Sequence, residues 1–169
     1  MTATLLAFPN PQPADDAKAL LEAAVELHAL ISIDPVMGAS PARVYFVFNP
    51  EAKRRIAEAV DGGRGRAPTA YAVVAYDFAF ALHLIEIAGR PAAPERAKAL
   101  ASLSAGLQGE ALAAAADAVG VEAEPVSALD ALALKIAFFP HTQETVTHVF
   151  RLELQPAGRR NRRPGIAQS

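Results

Sequence analysis

Apolar residues recur along this chain in two rhythms, one of three to four residues and one of two, and their alternation lays out most of the elements. Leu20, Leu21, Ala24, Leu27, His28 and Ile31 share one side of a helix. It is predicted from Ala14, with Asp15 or Asp16 as cap, to about Ile31, and Pro35 stops any continuation. Arg43 to Asn49 is rich in aromatic and β-branched residues and predicts a strand. Pro50 then opens a short helix, Glu51 to Val60, from its first turn. Thr69 to Tyr76 predicts a buried central strand, and Ala79 to Ile87 a helix. Ala93 to Val119 is alanine-rich and predicts a long helix with Pro94 in its first turn and a soft spot at Gly106 and Gly109. Ser127 or Asp130 caps a further short helix. In the last strand, Glu144 to Leu154, Thr145, Thr147, Val149, Arg151 and Glu153 occupy one face. Val146, His148, Phe150, Leu152 and Leu154 occupy the other, which is expected to face the core.

Helices on both sides of a sheet with strands near 43–49, 69–76 and 145–154 predict an α+β or three-layer α/β fold. Residues 1–13, with prolines at 9, 11 and 13, predict an extended arm; 14–157 is expected to form one domain, and 158–169 a basic extension. Asp61-Gly62-Gly63-Arg64-Gly65-Arg66 reads as a mobile loop. It has neither the P-loop lysine nor the spacing of a dinucleotide fingerprint.

Composition narrows the chemistry. The 169 residues suffice for one sizeable core, and an apolar share of 52% with 20% charged is more apolar than usual, as when surface is hidden between subunits. Absence of cysteine excludes disulfides, thiolate catalysis and cysteine-ligated metal. A net charge of −2 argues against a surface tuned to nucleic acid, and no apolar run reaches the length of a membrane span. With no basic region ahead of an apolar run at the start, a cytoplasmic location is the expectation. His28, His83, His141 and His148 lack the spacing of a metal site, and no Gly-x-Ser-x-Gly elbow accompanies Ser102 or Ser104.

Three segments in order carry a resemblance: Ser40-Pro41-Ala42-Arg43 leading into Val44-Tyr45-Phe46-Val47-Phe48, then Gly106-Leu107-Gln108-Gly109, then Ala118-Val119-Gly120-Val121. Together they resemble the flavin-dependent nitroreductases, most closely the branch that reduces small aldehydes such as malonic semialdehyde. The resemblance implies a three-layer fold with a central mixed sheet and an intertwined homodimer holding FMN at its interface. It implies NAD(P)H as reductant in a ping-pong hydride transfer to a small-molecule substrate. The flavin supplies the redox chemistry, so no catalytic side chain is required.

Carried over by position, the resemblance nominates Arg43, and Arg162 and Arg163 as forked donors for the phosphate. It nominates Gln108 near the cofactor. Pro125, Val126 and the surrounding N–H groups of Glu124-Pro125-Val126-Ser127 match the turn facing the redox edge. The chain also departs from the pattern, as a shortened and divergent member would. No Arg or Lys precedes Lys18; Val36, Met37, Gly38 and Ala39 stand where serine and asparagine are usual; Glu124 replaces a glycine and would repel a reduced flavin. Three readings therefore stand: an FMN oxidoreductase; a non-catalytic relative serving dimerisation or pairing with an intact paralogue; and a small-ligand module in the former flavin pocket. Arg43 could equally bridge a loop to a carboxylate, and the Arg159–Arg163 cluster could be a solvated tail.

Overall fold

The structure, a computed structural model, describes residues 12–31, 40–61 and 67–156. Among them five helices and four strands follow in the order α1 (Gln12–Ile31), β1 (Ala42–Val47), α2 (Pro50–Asp61), β2 (Ala70–Asp77), α3 (Phe78–Ile87), α4 (Pro94–Ala118), β3 (Val121–Pro125), α5 (Ala131–Phe138) and β4 (Glu144–Leu154). The sheet order is β1-β2-β4-β3. Among the described residues every neighbouring pair is antiparallel, where a mixed sheet was expected.

β2 is the spine of the sheet. Ala70 to Ala75 are all buried because helices cover both faces, so the strand is an unbroken apolar run. Ala70, Ala72 and Val74 look toward α1 and α4, together with Leu20, Leu27, Leu112, Phe150 and Leu152. Tyr71, Val73 and Ala75 look the other way, with Ile56 of α2 and Leu134 of α5. The result is the expected three-layer α+β arrangement.

α4 buries Ala97, Ala101, Ala105, Gly109, Leu112 and Ala116, a stripe at nearly constant four-residue spacing. Small side chains there let the helix lie close to the sheet and to Ala81 and Ile85 of α3. The expected soft spot is absent: the helix runs through Gly106 and Gly109 unbroken. Caps are local. Asp77 accepts from the Phe80 N–H (3.1 Å) and starts α3. Asp130, rather than Ser127, accepts from the Ala133 N–H (2.9 Å) and starts α5. Gly120 follows α4 at φ 75°, the left-handed conformation that turns the chain into β3. Gly120→Ala is expected to cost about 1–2 kcal/mol, read as a lower midpoint of urea unfolding.

Sequence reading missed one strand. Val121–Pro125, whose last two residues were expected in the turn Glu124-Pro125-Val126-Ser127, is a strand. It is short and lies at an edge, where such residues are tolerated. Gln12 and Pro13, expected in an extended arm, belong to α1. Residues 1–11, the Gly-rich loop at 62–66 and the basic extension lie outside the described residues.

Candidate functional site

The site is built around an irregularity in β4. Its pairing with β2 shifts between Val74 and Ala75: Val74 lies opposite His148, but Ala75 lies opposite Val146. Thr147 is the extra residue of a β-bulge, and its hydroxyl donates to the Val74 carbonyl (3.2 Å). One extra residue reverses which side chains share a face. The expected core-facing set Val146, His148, Phe150, Leu152 and Leu154 is therefore corrected at Val146 and His148. Val146 joins Val149 on the α2/α5 side, while Phe150 and Leu152 stay on the α1/α4 side and His148 is exposed.

Three elements meet beside the bulge. α4 comes down at Gly109, where a Cβ would lie 3.6 and 3.7 Å from the Phe150 ring and 3.8 Å from that of His148. β3 ends at Pro125, directly opposite Phe150, and the next N–H, of Val126, donates to the Val149 carbonyl (2.9 Å). His148 lies nearly parallel to Phe150, centroids 6.4 Å apart and planes 23° apart, and its Nδ1 is 3.0 Å from Thr147 Oγ1.

This arrangement gathers some of the nominated residues and scatters others. Pro125 and Val126 border the bulge, but Pro125 has no N–H and that of Val126 is spent on β4. Ser127 and Ala128 carry the N–H groups with no partner among the described residues. Gln108 is next to Gly109 in α4, and its side-chain amide donates to the Ile31 carbonyl (3.3 Å), tying α4 to the end of α1. Glu124 pairs with Arg151, on the sheet face opposite to Pro125 and Phe150. The pleat therefore turns its side chain away from the face that carries Pro125 and Phe150.

Arg43 lies on the far edge strand, β1, facing the same side as Tyr45. Three inter-strand steps, roughly 14 Å, separate it from β3. Within one chain Arg43 and Pro125 cannot touch the same small ring. Arg162 and Arg163 lie outside the described residues. Sequence reading gave His148 only a packing role; what could have flagged it is the Thr-His pair in a strand whose alternation cannot bury both Val146 and Val149 without a bulge.

A second polar group lies at the β1 edge. Glu144, 7% exposed, accepts from the Tyr45 hydroxyl and, at 3.2 Å, from the Thr142 hydroxyl. Burial raises the Tyr45 pKa above 10.0, and Glu144 adds to this while Arg43 opposes it. Arg43 thus sits beside the Tyr45 hydroxyl. Tyr45 also lines an apolar cleft of about 480 Å³ with Val47, Phe48, Phe138 and Phe139. A smaller groove of about 300 Å³ lies between α1 and β1, lined by Leu21, Val25 and Phe46. Among the described residues no group of three His, Asp or Glu could hold a metal ion, and no helix is long and apolar enough to cross a membrane.

No family model matches the chain. A Burkholderia lata protein provisionally named as an NADH dehydrogenase/NAD(P)H nitroreductase is 34% identical over 148 aligned residues, covering 78% of this chain and 70% of that protein. A Rhodopseudomonas palustris protein of the same provisional name is 32% identical over 128, covering 68% and 65%. The solved structure of a provisionally named nitroreductase from Exiguobacterium sibiricum, in complex with FMN, superposes with a TM-score of 0.64 at 13% identity, over 88% of this chain and 82% of that one. The fold is that of the nitroreductases. On the sequence relationship, the chain belongs to the NAD(P)H nitroreductase family.

Proposed function

We propose that the protein is an FMN-dependent oxidoreductase that reduces a small electrophile (a nitro compound, a quinone or an aldehyde, as in the malonic semialdehyde branch) with NAD(P)H. The observation that carries this reading is the pair of unpartnered N–H groups at Ser127 and Ala128, two exposed residues just past the end of β3, near the His148–Phe150 pair. Backbone donors fixed by a strand end suit the electron-rich edge of a flavin, and an aromatic wall suits its plane. Bound there, FMN would take a hydride from NAD(P)H and pass it to the electrophile. The residues of this chain would orient the ring and keep its face dry.

The reading includes a homodimer. Leu21 and Val25 of α1 and Leu103 and Leu107 of α4, each pair one turn apart, are 50–67% exposed on the helical layer beside the bulge. A second copy across this layer would hide that surface, and it could bring the far edge with Arg43 within reach of a ring at Ser127. Arg162 and Arg163 would supply the phosphate contacts.

Titration of FMN with the purified protein should quench flavin fluorescence and give a yellow complex that NAD(P)H bleaches, and sedimentation should give twice the monomer mass. Lack of quenching at millimolar protein would remove the reading. Gln108, whose side-chain amide is spent on the Ile31 carbonyl, favours a second reading, a non-catalytic subunit of the same fold paired with an intact paralogue. Bleaching by NAD(P)H without any partner would eliminate it.

A further inference from the structure

The bulge fixes which nitrogen of His148 is free. Thr147 has a single hydroxyl hydrogen, and it is directed at the Val74 carbonyl (3.2 Å). Its oxygen, 3.0 Å from His148 Nδ1, can therefore only accept, so Nδ1 carries a hydrogen. In the neutral ring the lone pair is then on Nε2. Phe150 beside the ring and the bare backbone of Gly109 above it restrict how the imidazole can turn, while the residue stays exposed. The outcome is an oriented hydrogen-bond acceptor next to a strand end that offers donors.

An acceptor of this kind selects for a donor on its ligand. The oxidised isoalloxazine ring carries several acceptor atoms but one N–H, that of its imide. Resting on the FMN reading above, we infer that Nε2 of His148 accepts a hydrogen bond from the flavin imide N–H. His148 would thereby orient the ring while the backbone N–H groups of Ser127 and Ala128 meet acceptor atoms elsewhere on it. Methylation of the imide nitrogen removes this donor and leaves the redox atoms unchanged, which makes it the discriminating probe.

The test is fluorescence titration of the full chain with FMN and with its imide-N-methyl analogue, for the wild type, His148→Phe and His148→Gln. One neutral hydrogen bond corresponds to roughly a fivefold to tenfold change in affinity. The wild type should bind the analogue that much more weakly than FMN. His148→Phe keeps the flat ring against Phe150, and should bind FMN with the weaker affinity and no longer discriminate. His148→Gln, which keeps an acceptor oxygen, should recover part of the difference. The imidazole ¹⁵N signal of Nε2 should move on adding FMN and stay in place with the analogue. Equal wild-type affinity for both ligands, or discrimination that survives in His148→Phe, overturns the inference and leaves the FMN reading standing. Failure of the wild type to bind either ligand overturns the FMN reading and the inference with it. Should His148→Phe lose its far-ultraviolet circular dichroism, the two wild-type titrations and the ¹⁵N signal decide the matter.

Discussion

Phe150→Ala should lower stability by about 3–5 kcal/mol, seen as a fall of roughly 6–20 °C in the thermal midpoint. Phe150 is 5% exposed and belongs to the core between the sheet and α1/α4. Three elements use it at once. It faces Pro125 across the β3–β4 pairing, the His148 ring lies alongside it, and α4 approaches it through Gly109. Truncation leaves a cavity that none of the three can close alone, because α4 is held over its length by an alanine stripe and β3 by its register. Phe150→Leu fills most of that space and should cost less than half as much. Urea unfolding of the two variants measures the difference, and a loss under about 1 kcal/mol for the alanine variant would mean that α4 settles into the gap. Under the FMN reading, Phe150→Ala should also weaken quenching of FMN fluorescence more than Phe150→Leu does, because it removes the ring that His148 lies against.

Glu144→Ala should cost about 2–3 kcal/mol, since a partly buried Tyr45 hydroxyl and the Thr142 hydroxyl both lose their acceptor. Glu144→Gln keeps an oxygen for Tyr45 and should cost about 1 kcal/mol. The pair joins β1 to the start of β4 across β2, so its loss loosens the open edge of the sheet, where Phe139 also packs on Tyr45 (5.2 Å between centroids). Burial of Tyr45, reinforced by this contact, sets a pH dependence. Folding raises the Tyr45 pKa above 10.0, so the folded state holds this proton more tightly than the unfolded one. The contribution is complete below pH 10 and is lost as pH rises from there through the folded pKa. Stability measured by urea unfolding should therefore fall more steeply above pH 10 in the wild type than in Tyr45→Phe. Parallel curves for the two proteins would show that the phenol does not titrate against Glu144.

How much of this was legible beforehand differs from element to element. α1, α2, β1, β2, α3 and α4 follow from local patterns: Leu20, Leu27 and Ile31 at helical spacing, Pro50 and Pro94 in first turns, and an apolar run at Ala70–Ala75. The family resemblance also came from the sequence, and the 34% identical relative supports it. The site was legible only in fragments. Pro125 and Val126 were nominated, but Val126 spends its N–H on β4, and the N–H groups without a partner among the described residues follow at Ser127 and Ala128. Gln108 was singled out as a cofactor neighbour, and the structure shows its amide holding the end of α1. Glu124 looked like an obstacle, and the pleat turns it to the other face.

The amino-acid order alone settled the helices, the central strand, the lack of any thiol chemistry and the kinship. These depend on spacing and residue type within a single segment, where backbone preferences and apolar periodicity act directly. Tertiary structure decided the strand order, the placement of Arg43 and Pro125 on opposite edges, and the bulge that exposes His148. Each of these depends on which distant strand supplies the partner hydrogen bonds. A single extra residue in one strand becomes visible only against the register of its neighbour, and it reverses every side chain beyond it.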